Sequence, residues 1–263
     1  MSAWSLDPDS AASLNQAFRL LQRITFEVCE RSDTERHQIE FLAGLLLDAA
    51  PWQVVATLGD FLDGNLGREL YADDFRKALH DAGFRFRNLA GDPSLAAAIE
   101  HVQRSFDSAI GPYLIAGVPM QRPEMAELVG KISGDQPPRL VFVHGQAGSG
   151  KSVAVHQLSK NLRDLAIPCL PIQLHTHRPE ASSDAFGRSK LRLPASPAIS
   201  LRAVAGQRRA VLMLDQLDAL RWTSAHSYET WRAATAIIEE ALSDNLTTVV
   251  IACRTFGQCF PGP

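Results

Sequence analysis

The chain has 263 residues, 46% of them apolar, with a formal charge of −3 at neutral pH, and such a composition supplies a real core for one large domain or two modest ones and excludes a disordered chain. The longest apolar run, Phe41 to Leu47, is far too short to cross a bilayer. The start also lacks the basic-then-apolar pattern of a signal peptide, so a cytoplasmic location without a membrane partner is expected.

The charge divides unevenly. Residues 1–138 carry 12 Lys+Arg against 20 Asp+Glu, and residues 139–263 carry 14 against 9. A basic half suits polyanions, and a nucleotide alone satisfies that preference; nucleic acid is not expected, since neither a helix-turn-helix nor a basic helix is present. The four cysteines, Cys29, Cys169, Cys253 and Cys259, form no C-x-x-C pair and read as reduced thiols.

From Asp9 to about Arg31, Leu14, Phe18, Leu21, Ile24 and Val28 recur at three and four residues, one face of an amphipathic helix. Helices are expected next over Glu35 to Asp48, over Pro51 to Leu62 with proline in its first turn, and over Tyr71 to Asp81 with Gly83 just beyond. Asp92-Pro93-Ser94 opens a longer one, whose stripe of Leu95, Ile99, Val102, Phe106 and Ile110 runs to the break at Gly111-Pro112. Residues 1–110 are therefore expected to form an all-helical bundle domain. Its histidines, His37, His80 and His101, share no ligand face and belong on the surface. Residues 111–138, broken by Gly111, Pro112, Gly117, Pro119 and Pro123, read as a linker with one short helix, Glu124 to Ile132.

Residues 139–263 carry the chemistry. A short apolar strand, Leu140 to Val143, opens into Gly145-Gln146-Ala147-Gly148-Ser149-Gly150-Lys151-Ser152, which fits the Walker A form G-x-x-x-x-G-K-[ST] at every fixed position. Glycines let backbone N–H groups turn inward around phosphates, and the following helix, with Val153 in its first turn, offers its positive end to the same anion. Lys151 can reach the β- and γ-phosphates of a nucleotide, and the Ser152 hydroxyl is placed to ligate Mg²⁺.

That helix continues through Leu158, Leu162 and Leu165, and Cys169 to Leu174 follows as a strand whose Pro171 predicts an edge position. The polar span His175 to Pro194 holds His175-x-His177, half of a metal site with no third ligand at fitting spacing. A helix over Ser196 to Ala205 precedes Ala210 to Leu214, an apolar run suited to a strand buried on both faces of a parallel sheet. The run ends in Asp215, 63 residues after Ser152, which makes a Walker B pairing with that loop and points the carboxylate toward the same Mg²⁺.

Gln216 cannot accept a proton, which leaves Asp218 either to orient or deprotonate an attacking water or to serve as an N-terminal helix acid. Tyr228 to Leu242 reads as a helix and Thr247 to Ala252 as a strand ending near Arg254, which is either a γ-phosphate sensor or an ordinary surface arginine.

Gly145 to Ser152, Val211 to Asp218, Val249 to Arg254 and Arg122-Pro123-Glu124 together resemble the STAND class of P-loop ATPases, the NACHT-like bacterial proteins, over about residues 115 to 258. The resemblance implies a P-loop NTPase core of α/β class, a parallel sheet flanked by helices. It implies that Lys151 and Ser152 bind phosphate and Mg²⁺, that Asp215 holds the metal, that Asp218 is the second acid of the class, that Arg254 is a sensor and that Arg122 lies near the adenine. It also implies a slow switch, in which ATP binding drives oligomerisation and weak hydrolysis resets it, as in regulatory and defence proteins. In that class the fourth strand separates the Walker B strand from the loop strand, and a fifth covers the loop strand's other side. With no fifth strand before Pro263, Leu140 to Val143 is expected as an exposed edge, and the chain as a fragment or a subunit completed by self-association or another segment. The competing expectation is a P-loop kinase for a small molecule, with Arg178, Arg188, Lys190 and Arg192 as its lid.

Overall fold

In the computed structural model, residues 33–85, 89, 92–114, 117, 122–179, 182–220 and 227–254 are described. The helix expected over residues 9–31 lies outside them. Four helices come first: α1 (Asp33–Leu46), α2 (Pro51–Asp63), α3 (Ala72–Asp81) and α4 (Pro93–Ile110), with α5 (Pro123–Ser133) after the proline-broken stretch. Then strand and helix alternate: β1 (Leu140–Gly145), α6 (Lys151–Asp164), β2 (Cys169–Gln173), α7 (Ser183–Lys190), α8 (Pro197–Ala205), β3 (Ala210–Asp215), α9 (Ser227–Leu242) and β4 (Thr247–Arg254).

The four strands form one parallel sheet in the order β1-β4-β3-β2, a mixed α/β arrangement of generic Rossmann-like topology with a helical stretch before it. Parallel neighbours need crossovers, and the intervening helices supply them. Because successive side chains leave a strand on opposite faces, β3 and β4 each feed two cores. Leu212, Leu214, Val249 and Ile251 pack with Phe186 of α7, Ile199 of α8 and Ile237 of α9, whereas Val211, Met213, Val250 and Ala252 pack with Ile132 of α5 and Leu158 of α6.

Pro171 does lie on an edge strand, where its missing N–H leaves no ladder bond unmade. Beside it runs α4. Gln103 donates to the Cys169 carbonyl at 2.6 Å, satisfying part of the edge from a side chain. The stripe predicted on α4 is buried, but it divides between the two sheet cores: Leu95, Ile99 and Val102 belong to one, Phe106 and Ile110 to the other. Asp107 fixes this helix to α6 by accepting from both terminal nitrogens of Arg163, at 2.9 and 3.1 Å. His156 of α6 approaches the same carboxylate at 3.3 Å, and burial, chiefly, holds its proton affinity below the usual imidazole range. The first helices keep a small core of their own, Ala43, Leu47, Val54 and Leu79, with Phe61 and Phe75 edge to face at 5.5 Å.

Helix α7 falls within the polar span His175 to Pro194, for which the sequence predicts no element. Its single large apolar side chain, Phe186, gives no periodicity to read, yet it is fully buried, and the Ser182 hydroxyl accepts from Ala185 N–H to start the turn. At the opposite corner β1 has β4 as its strand neighbour among the described residues, and Leu140 and Phe142 are more than a third exposed.

Below the strands' amino ends, Arg202 of α8 is buried and donates to the Asp244 carboxylate at 2.6 Å, to Thr247 Oγ1 at 2.9 Å and to the carbonyls of Gly206 and Arg208 at 2.9 and 2.7 Å. Breaking a buried pair by removing one partner strands the other charge. Arg202→Ala is accordingly expected to destabilise the protein by about 3–5 kcal/mol in urea denaturation, and a loss under about 1 kcal/mol would show the network to be dispensable.

Candidate functional site

At the carboxyl ends of the strands, β1 runs into the glycine-rich loop and α6 begins at Lys151. Two glycines here are required by geometry. Gly150 sits at φ +80°, and a Cβ there would also meet the Arg122 guanidinium at 2.8 Å; one on Gly145 would meet Ser149 Oγ at 2.8 Å. No side chain caps the start of α6, which leaves its first backbone N–H groups without an intrahelical or side-chain cap partner next to the loop. Lys151 Nζ donates to the carbonyls of Gly145 and Gln146, at 2.9 and 2.8 Å, which holds the ammonium against the loop.

Strand β3 ends beside it. Asp215 is 1% exposed, and neither of its carboxylate oxygens has a hydrogen-bond partner. The Ser152 hydroxyl lies close enough to favour the ionised form, but it is not placed to donate a full hydrogen bond. Burial wins: loss of water raises the carboxyl's pKa to about 6, with the nearby Asp218 charge adding to the rise and Ser152, the Gln216 backbone and Lys151 opposing it. An uncompensated buried carboxylate is costly, and such costs concentrate at functional sites. The next residue, Gln216, takes φ +61°, an unusual state for a side chain other than glycine, and its amide approaches Ser152 Oγ at 3.5 Å.

That left-handed residue turns the chain into the short 3₁₀ segment Leu217–Leu220, which aims Asp218 at the end of β4. Asp218 Oδ1 accepts from the backbone N–H of Arg254 at 3.0 Å and Oδ2 lies 3.1 Å from its Nε. Register places Arg254 opposite Gly145 across the β1–β4 pair, so this pair stands between the loop and the Asp215 tip.

An open cleft of about 970 Å³ is lined by Ala147, Gly148, Gly150, Lys151, Ser152 and Val153 on one wall and by Gln216, Asp218 and Arg254 on another, whereas Gly145, Gln146, Ser149 and the buried Asp215 stay out of its lining, Asp215 behind Ser152 and Gln216. Arg122 lies outside the cleft. It precedes α5, packed against α6, and so reaches the loop from behind, donating to Ser149 O at 2.7 Å and bordering a separate groove with Ser149. Of the four basic residues proposed for a lid only Arg178 lines the cleft, while Arg188 is directed to Asp184 at 2.7 Å and Asp48 at 3.6 Å. Gln173 and Thr176 also line the cleft, as do Ile110 and Tyr113 from α4 and the turn after it. The first two could have been found from the rule that ligands gather at strand carboxyl ends. The others have no sequence signal, since only tertiary packing brings α4 there.

The described residues contain no group of three or more His, Cys, Asp or Glu placed to hold a metal ion. Ser152 and Asp215 are the two side chains at this tip that could contribute oxygen ligands to a divalent ion. Among the described residues no helix is long and apolar enough to span a membrane.

No family model and no curated protein matches the chain. Among solved structures it is similar to a chain of the HORMA:CdnC:Trip13 complex of E. coli MS115-1, with 18% identity and a TM-score of 0.30, the match covering 61% of this chain and 56% of that one. A likeness so slight supports no assignment.

Because the carboxyl of Asp215 titrates higher in the fold than its ordinary 3.8, the ionised form weighs against folding at every pH above about 6, and the penalty fades as pH falls toward 4. Without added metal, Asp215→Asn should be more stable than the parent at pH 7.5 by up to about 3 kcal/mol, with the gap closing near pH 4. Denaturant titrations at both pH values check this, and a gap independent of pH would contradict it.

Proposed function

We propose that this chain binds a nucleoside triphosphate with Mg²⁺ in the cleft and hydrolyses it slowly, as the ATP-binding regulatory module of a STAND-type signalling or defence ATPase. One observation carries the reading: the partnerless, buried carboxylate of Asp215 stands beside the hydroxyl of Ser152 at the rim of a loop whose glycines leave room for phosphate. The chemistry fits a hard cation, which takes oxygen ligands and usually keeps several waters and phosphate oxygens. When bound there, Mg²⁺ supplies neutralisation of charge on the β- and γ-oxygens.

The chain's own groups divide the remaining work. The loop amides and the start of α6 would orient the phosphates, Lys151 would exchange its two carbonyl partners for phosphate oxygens, and Arg254 would face the terminal phosphate from β4. Lys151, Arg254 and part of the loop border the same cleft, which supports this division of work. The exposed apolar side chains of Leu140 and Phe142 on β1 support association as part of the same reading.

A second reading, phosphoryl transfer to a small acceptor, draws on Arg178, which lines the cleft beside His175 and Thr176. The product separates the two, as inorganic phosphate in the first case and a phosphorylated metabolite in the second.

Calorimetric titration of ATP, GTP and ADP with and without Mg²⁺, followed by size measurement, is the direct test. Triphosphate should bind in a Mg²⁺-dependent way, and Lys151→Ala should weaken it by about 2–4 kcal/mol, the scale of a lost charged contact in a desolvated site. Unchanged affinity and turnover in that variant would defeat the proposal.

A further inference from the structure

Asp218 and Arg254 enter the sequence reading as two separate candidates, one for water activation and one for phosphate sensing, but the structure joins them. Both carboxylate oxygens of Asp218 are directed to a single residue, Oδ1 to its backbone N–H at 3.0 Å and Oδ2 to Nε at 3.1 Å. Holding one arginine at its backbone and at the base of its guanidinium fixes both ends of a long side chain. Asp218 is itself 9% exposed and rooted in the 3₁₀ segment Leu217–Leu220, whereas the Arg254 side chain is about half exposed and borders the cleft. The more deeply buried partner is the acid, and the one bordering the cleft is the base.

We propose that Asp218 is a positioning residue that presents the Arg254 guanidinium to the terminal phosphate and thereby sets the preference for triphosphate over diphosphate. This deepens the nucleotide-binding reading above and rests on it. An arginine side chain gives up considerable rotamer freedom when it engages an anion, and a carboxylate that orders it beforehand removes that cost from binding. The planar guanidinium has five donors in a rigid fork, so orientation at Nε sets the direction of the rest. On this proposal a diphosphate, lacking the terminal group, would not engage the fork, and its affinity should not depend on how the fork is held.

The experiment is a double-mutant cycle read as affinities for Mg²⁺-ATP and Mg²⁺-ADP by calorimetry, in the parent, Asp218→Ala, Arg254→Ala and the double variant, each first shown to be folded by its thermal melt. Arg254→Ala should lower the ATP-over-ADP preference by about 10- to 100-fold, the range of one charged hydrogen bond. Asp218→Ala should lower it in the same direction, ADP affinity should stay within about twofold, and the double variant should be no worse than Arg254→Ala alone. Asp218→Asn, which keeps an acceptor for the backbone N–H but loses the charge at Nε, should fall between parent and Asp218→Ala. It also carries the comparison if the alanine variant does not fold.

The inference is overturned if the two losses multiply in the double variant, or if the Asp218 variants slow turnover while leaving the preference intact, the signature of an independent general base. It also fails alone if the parent binds both nucleotides in a Lys151-dependent way without distinguishing them. If the parent binds no nucleotide, the underlying reading has failed and takes this one with it.

Discussion

The site depends on one buried carboxylate whose neighbours only partly offset the loss of water. Asp215 ends the central part of a sheet whose strands β3 and β4 are apolar on both faces, so its carboxylate is delivered by the register of the strands into a buried position where neither oxygen has a partner in full hydrogen-bonding geometry. Ordinary folding would avoid this, because buried polar groups are nearly always paired. The fold tolerates it beside an ammonium, a hydroxyl and a run of backbone N–H groups, and that combination of one orphan acid with several donors suits an anion carrying its own cation.

The order of the strands places the parts. With β4 between β1 and β3, Arg254 falls between the loop that leaves β1 and the acid that ends β3, and the 3₁₀ segment after β3 sends Asp218 across to meet it. The far edge contributes as well. Helix α4 covers β2, locked to α6 by Asp107 and Arg163, so that Ile110 and Tyr113 reach the cleft from outside the sheet. The helical stretch is thus joined to the strand-and-helix unit through shared cores, with the α4 stripe divided between its two faces.

Much of this was legible in the sequence, and the reasons differ from place to place. The parallel sheet was readable from apolar runs with intervening helices, the edge position of β2 from Pro171, and the separation of β1 from β3 by the fourth strand from the family resemblance. The loop glycines were readable because their backbone needs are local. Helix α7 was not, since a burial carried by one phenylalanine and a serine cap has no period. The position of Arg122 behind the loop and the Asp218–Arg254 clasp were not readable either. Each is set by where a helix or a turn lands in space, and spacing along the chain carries no record of that.

Manganese offers the most direct probe of the central claim, because it can replace Mg²⁺ and its binding is visible by electron paramagnetic resonance. In the parent chain, Mn²⁺ uptake should rise when ATP is added, and that ATP-dependent increment should vanish in Asp215→Asn and shrink in Ser152→Ala. An increment that survives the loss of the 215 carboxylate, or a parent chain whose Mn²⁺ uptake ignores ATP, would contradict the account.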